Sequence, residues 1–436
     1  MEWWQVLLLM FAALGALMAT GMPIAFAFGI LNVVLLFFFA GGVGALQAVA
    51  LSSYGSIATF AFTALPMFIL MGEVILHSGL ATLAINGIGK WLGRMPGRLA
   101  VLGVLAGTAF GAASGSSMAS AATLGTILIP EMRRHGYDKG LAVGCIATCG
   151  ALDVLIPPSA LGVIFAGISR ISVGDILIGS LIPGLILAVL VFGYIVVLCT
   201  LKPHLAPAYD VARISWAERM RSLVHILPLI TLILLVLGSM FMGWATPTES
   251  AAMGALGAFV VAALYGRLTR EAIRKSVLAA VEVTGLALLI ITSATAFSQI
   301  LAHTGAAAGL SRFATGLPVS PWFILIGMQI VMLIMGLFID EVSIMLITIP
   351  IFFPVVRALG FDPVWFAIVS MVNMEIGVIS PPFGLVLFVL KGVCPPDITL
   401  GDIFRGVMPF IVVNLVALAI VMIFPPLATW LPGLMH

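Results

Sequence analysis

Charge is what this sequence has least of. Only 8% of its 436 residues are Asp, Glu, Lys or Arg, against 62% apolar residues and a mean hydropathy of +1.26. Soluble domains carry about 25% charged residues, so the composition points to an all-α polytopic membrane protein. The net charge of +2 is small and the basic residues are dispersed among loops, which argues against a nucleic-acid partner. Cysteine is scarce too: Cys145, Cys149, Cys199 and Cys394 lie in or beside apolar segments, and no CxxC or Cys/His metal spacing occurs. There is no GxxxxGK[ST] phosphate loop, so uphill transport would not draw on ATP bound to this chain, and no catalytic triad marks an enzyme. The start, MEWWQVLLL, has no positive n-region, and the first helix is expected to be retained.

What is present is a hydrophobic chain broken at particular places. Residues 99 to 129 are apolar enough for a bilayer, yet Ser114, Gly115, Ser116 and Ser117 make a poor helix centre. Lys90, Arg94 and Arg98 precede the run and Arg133, Arg134 and Lys139 follow it, so both ends read as cytoplasmic by the positive-inside rule. A segment that returns to its own side with a polar tip at depth is a re-entrant hairpin. Non-helical backbone at depth is tolerated only against protein or a water-filled cavity, which makes the tip a candidate site.

Apolar runs predict helices near 3–19, 23–40, 58–77, 141–168, 179–200, 223–243, 249–265, 277–302, 364–390 and 407–430, with a second broken stretch at 323–355. Residues 80–92 read as an interfacial helix. Further basic clusters at Lys202, Arg213, Arg219 and Arg221, and at Arg267, Arg270, Arg274 and Lys275, also fit the inside, which puts both termini outside.

The halves repeat. Pro130, Arg133, Gly136, Asp138, Val154, Pro157, Pro158 and Leu161 recur 224 residues later as Pro354, Arg357, Gly360, Asp362, Val378, Pro381, Pro382 and Leu385. The first hairpin opens inside and the 323–355 segment is flanked by poorly charged loops outside, so the repeats, 1–215 and 216–436, are inverted. Inverted repeats with interrupted helices are a mark of secondary transporters, which bind substrate and ions near the midplane. Segments 99–168 and 323–390 would form a transport domain, and helices within 1–78 and 223–265 a scaffold.

Four breaks make the expected site: the two hairpin tips, and the double prolines Pro157-Pro158 and Pro381-Pro382. Each double proline removes backbone donors inside an apolar helix and frees carbonyl oxygens. Sodium favours such oxygens, and half-helix ends favour ions of opposite sign. One ion is expected between Ser114, Gly115, Ser116, Ser117 and Pro157, Ser159. A second is expected between Asp340, Ser343 and Gly377, Ser380, Pro381. Substrate would lie between them, touching Ser116, Asp153, Ser159, Glu341 and Glu375. Ionisable residues at membrane depth are rare and usually face a pathway or a partner. Gly103, Gly107, Gly111 and Gly115 form a small-residue ridge for close helix packing.

GMPIAFAFG at 21–29, the SGSS tip, the IPPS break, ATPTES at 245–250 and ISPPFG at 379–384 span nearly the whole chain. Together they resemble the large membrane subunit, DctM type, of tripartite ATP-independent periplasmic (TRAP) transporters. The resemblance implies a bacterial inner-membrane importer of an organic anion, coupled to sodium and working by an elevator movement. It also implies two partners: a periplasmic binding protein (DctP type) that delivers substrate, and a small four-helix membrane subunit (DctQ type), here expected on a separate chain. Dicarboxylates, sialic acids and sugar acids all remain open as substrates. An autonomous sodium/anion symporter on the same plan is the rival reading, and a non-transporting scaffold subunit a more distant one.

Overall fold

The computed structural model describes residues 2–39, 42–58, 60–114, 117–207 and 215–435. Gly115, Ser116 and Arg213, all part of the expectations above, lie outside the described residues.

Among those residues the chain is entirely helical. After α1 (Trp3–Ala19), the first half runs α2 (Ile24–Phe39), α3 (Val43–Ile57), α4 (Ala64–His77), α5 (Leu80–Gly89), α6 (Arg98–Ser114), α7 (Ser117–Arg134), α8 (Lys139–Leu155), α9 (Ala160–Ser169) and α10 (Val173–Leu201). The second half runs α11 (Trp216–Phe241), α12 (Pro247–Leu264), α13 (Arg270–His303), α14 (Ala306–Gly316), α15 (Pro321–Gly336), α16 (Glu341–Ala358), α17 (Pro363–Val378), α18 (Leu385–Val393) and α19 (Leu400–Ile423), closed by α20 (Pro426–Thr429). Helices α10, α11, α12, α13, α16 and α19 are long and apolar enough to cross a membrane, and two bent pairs bring the total to eight. A helix rises about 1.5 Å per residue, so about 20 residues cover the hydrocarbon.

The two halves place matching elements at matching positions, and the joints show why. Gly79 (φ 73°) and Gly305 (φ 69°) take the left-handed conformation between α4 and α5 and between α13 and α14. Asp138 and Asp362 cap α8 and α17, accepting from the Leu141 and Trp365 amides at 3.0 and 2.8 Å. Such caps satisfy the orphan donors of a helix start. Ser172 and Thr399 do the same for α10 and α19.

Two helices went unforeseen: α3, and α14, which is the counterpart of α5. The expected interfacial segment forms α5, bent by 64° from α4. Packing crosses between the halves: α18 lies against α7 and α9 against α16, while α4 meets α13, α8 meets α19 and α10 meets α17. One large buried core joins most of these helices; a second unites α1 and α2 with residues of α13, α14 and α16. Phe38, Val189, Leu201, Leu234 and Leu264 stand exposed on outer faces, as lipid-facing residues do.

Candidate functional site

The first double proline ends α8. The Pro157-Pro158 bond is cis and the whole stretch is buried. Neither proline has an N–H, so the donors that would continue the helix onto the carbonyls of Asp153 and Val154 are missing. Ser159 restarts the chain as the cap of α9, its Oγ accepting from the Gly162 amide at 3.2 Å.

The second double proline, also cis, follows α17 and is more open: Pro381 is half-buried, and Pro382 and Phe383 are exposed. Here the turn satisfies itself. The Gly377 carbonyl accepts from the Ser380 amide at 2.9 Å, and the Ser380 hydroxyl donates to the Ile376 carbonyl at 2.6 Å. Gly377 lies backbone to backbone against Gly336 of α15. At the neighbouring hairpin, Asp340 caps α16 by accepting from the Ser343 amide at 3.1 Å, and the Ser343 hydroxyl donates to the same carboxylate. The hydroxyls of Ser343 and Ser380 thus donate locally.

The residues that do converge come from both halves. Ser117 opens α7, Glu341 opens α16, and Asp153 and Glu375 sit on the last turns of α8 and α17. All four side chains are buried. Ser117 Oγ lies 2.8 and 2.9 Å from the two carboxylate oxygens of Glu375 and donates its proton there. The Glu341 carboxyl meets both Ser117 and Glu375, and Asp153 is within electrostatic reach of Glu375. Oε1 of Glu341 is buried with no hydrogen-bond partner. Among the described residues no Lys, Arg or His pairs with Glu341 or Glu375, and no three acidic, His or Cys side chains have the spacing of a metal chelate. The helix starts at Ser117 and Glu341 direct positive dipole ends toward these carboxyls, which partly offsets their charge.

Sequence reasoning overlooked a second polar line beside the site. Asn373 donates to the backbone carbonyl and side-chain oxygen of Gln329 at 2.6 and 2.9 Å, and Ser370 stands next to Gln329, all buried between α15 and α17. The signal was present as three amide and hydroxyl residues in otherwise apolar helices, one or two turns ahead of the break. The Gly103 and Gly107 ridge does pack closely, against Ile146 and Cys149 of α8.

The family model for the DctM component of tripartite ATP-independent periplasmic transporters matches residues 11–427. The chain belongs to the DctM family. This DctM component is 34% identical to the C4-dicarboxylate TRAP transporter large permease protein DctM of Rhodobacter capsulatus, over 98% of this chain and 99% of that protein. It is 30% identical to the sialic acid TRAP transporter large permease protein SiaM of Vibrio cholerae, over 97% of each. The YdaH transporter of Alcanivorax borkumensis shares the fold, with a TM-score of 0.65 over 90% of each chain at 16% identity. The relatives are transporter permeases, and the chain is accordingly a multi-pass membrane component of a solute importer.

Proposed function

We propose that this DctM component imports an organic acid in symport with sodium, receiving it from a periplasmic binding protein and working beside a small four-helix membrane subunit in the bacterial inner membrane. The observation that carries the reading is the meeting of Ser117, Glu341, Glu375 and Asp153 between the two halves. Buried carboxylates without a basic partner are costly unless a cation or a proton neutralises them. Sodium is a hard cation suited to carboxylate, hydroxyl and carbonyl oxygens. We therefore assign Glu341 and Glu375 to the cation, since a carboxylate substrate would add a like charge to theirs. Ser114 to Ser117 with Pro157 and Ser159, and Asp340 and Ser343 with Gly377, Ser380 and Pro381, remain the flanking oxygen sets. At these breaks Ser159 still has its hydroxyl proton to donate.

The driving force suffices. Each net positive charge moving inward across ~100 mV contributes about 2.3 kcal/mol, and tenfold accumulation needs about 1.4 kcal/mol.

The test is carboxylate uptake by proteoliposomes holding all three components, driven by a sodium gradient. Ser117→Ala and Glu375→Gln are expected to weaken sodium activation about tenfold or more, as loss of a charge-assisted ligand of ~1.5–3 kcal/mol implies. Unchanged sodium dependence in both variants would defeat the proposal. Efficient concentrative uptake by this chain alone would favour the autonomous symporter.

A further inference from the structure

A cavity of about 450 Å³ opens where the end of α9, the end of α16 and the face of α13 meet. Arg170 and Arg357 line it, together with Thr295, Ser298 and Gln299 of α13, and among the described residues no Asp or Glu does. Two features make this charge unusual. The positive-inside assignment puts α7 to α8 at the cytoplasmic face, and hence the far ends of α9 and α16 at the opposite face, where Lys and Arg are ordinarily depleted. In addition, two helices end here, and their carbonyl ends alone would repel an anion. The guanidiniums reverse that sign.

Arg357 uses one nitrogen for a weak bond to the Ser169 carbonyl at 3.5 Å. Its remaining donors, and those of Arg170, are available to an oxyanion, because a guanidinium carries five N–H groups in a fork that fits a carboxylate. Arg170 is also the one described non-glycine residue with a left-handed backbone (φ 57°). Such a conformation is uncommon outside Gly, Asn and Asp and is held in place here by the turn that follows α9.

We propose that this cavity is the receiving site at which the carboxylate of an incoming organic acid first meets the membrane subunit, with Arg170 and Arg357 binding it and the α13 hydroxyl and amide groups facing the remainder. The site joins α13 to the break-bearing α9 and α16. This assignment rests on the transport reading given above.

The test uses the complete three-component system in proteoliposomes, with succinate and N-acetylneuraminate as probes. The double variant R170Q/R357Q should lose about tenfold or more of the initial uptake rate, as the loss of charged hydrogen bonds implies, while R170K/R357K retains part of it. Sodium half-activation and the thermal melting midpoint should not change. Double-Gln uptake within about twofold of wild type would overturn the site while leaving the transport reading intact. Absence of sodium-driven uptake in the wild type would instead count against the transport reading. The site has its own readout: modification of Arg170 and Arg357 by an impermeant arginine-selective dicarbonyl, followed by mass spectrometry. Protection by either probe supports the site, and protection by neither overturns it. Binding-protein affinity should be equal in wild type and double variant; a parallel loss of docking would overturn substrate contact in favour of a protein contact.

Discussion

At the scale of single residues, a position proposed as a ligand can also be a packing point. Gly377 was expected as a sodium ligand through its backbone. In the structure, a Cβ at Gly377 would sit 2.7 Å from the Cα of Gly336, and one at Gly336 would sit 2.6 Å from the Cα of Gly377. Both neighbours are backbone, so neither can rotate away. Gly377→Ala should therefore push α15 from α17 and cost about 1–3 kcal/mol, the usual range for overpacking. The readout is the thermal unfolding midpoint of the purified protein, and a midpoint equal to wild type would show that the contact yields. The adjoining line of Gln329, Ser370 and Asn373 has the same effect from the polar side, since buried amides fix register when their partners are in place.

Helix-scale features divide into those written locally and those that depend on distant chain. The double prolines were legible because each acts through its immediate neighbours, and Asp138 and Asp362 were legible as repeat partners whose capping role the structure adds. Helix α3 was not: LQAVALSSYGSI mixes Gln, Ser and Tyr with small residues and has no strong apolar run. Nor was α14, an amphipathic segment that needs α1 and α16 to cover its apolar side. The partnership of Ser117 with Glu375 could not be read at all, because no periodicity links residues on separate helices. Another long-range link ties the loop after α18 to the α7 to α8 joint. Arg133 Nη2 donates to Asp397 at 2.9 Å, and Lys139 also bonds this residue. Desolvation raises the Asp397 carboxyl, but the Arg133 hydrogen bond and charge, then Lys139, outweigh it and hold the group below its ordinary 3.8. The sign follows: the link contributes stability above pH about 3.8, and that contribution is lost as pH falls through the lower folded value. Melting curves of wild type and Asp397→Asn should differ at neutral pH and converge at acid pH; a constant gap would assign the effect to something other than this charge.

For the molecule as a whole, the cross-packing of α7 with α18 and α9 with α16 makes one body from segments far apart in sequence. An elevator requires such a body to travel past α4, α11, α12 and α13. Cysteine pairs placed between α7 and α18, near Gly125 and Leu390, should crosslink in every transport state. Pairs between α13 and α16 should crosslink in one state only. State-independent crosslinking at both places would replace sliding by local gating. The tripartite family assignment also fits the exposed apolar faces of α11 and α12, which a helical partner or lipid must cover.

The Ser117 to Glu375 bond has a consequence in time as well as in space. Its partners are 258 residues apart, and ribosomes add roughly 5–20 residues per second. The polar start of α7 therefore waits on the order of ten to fifty seconds within a growing membrane protein before the residue that satisfies it has been made. During that interval the first half is an unfinished object, with a hydroxyl and a break turned toward a place where no protein yet stands. Whatever shelters that place, whether water, lipid headgroups or an insertion factor, has to give way when Glu375 arrives.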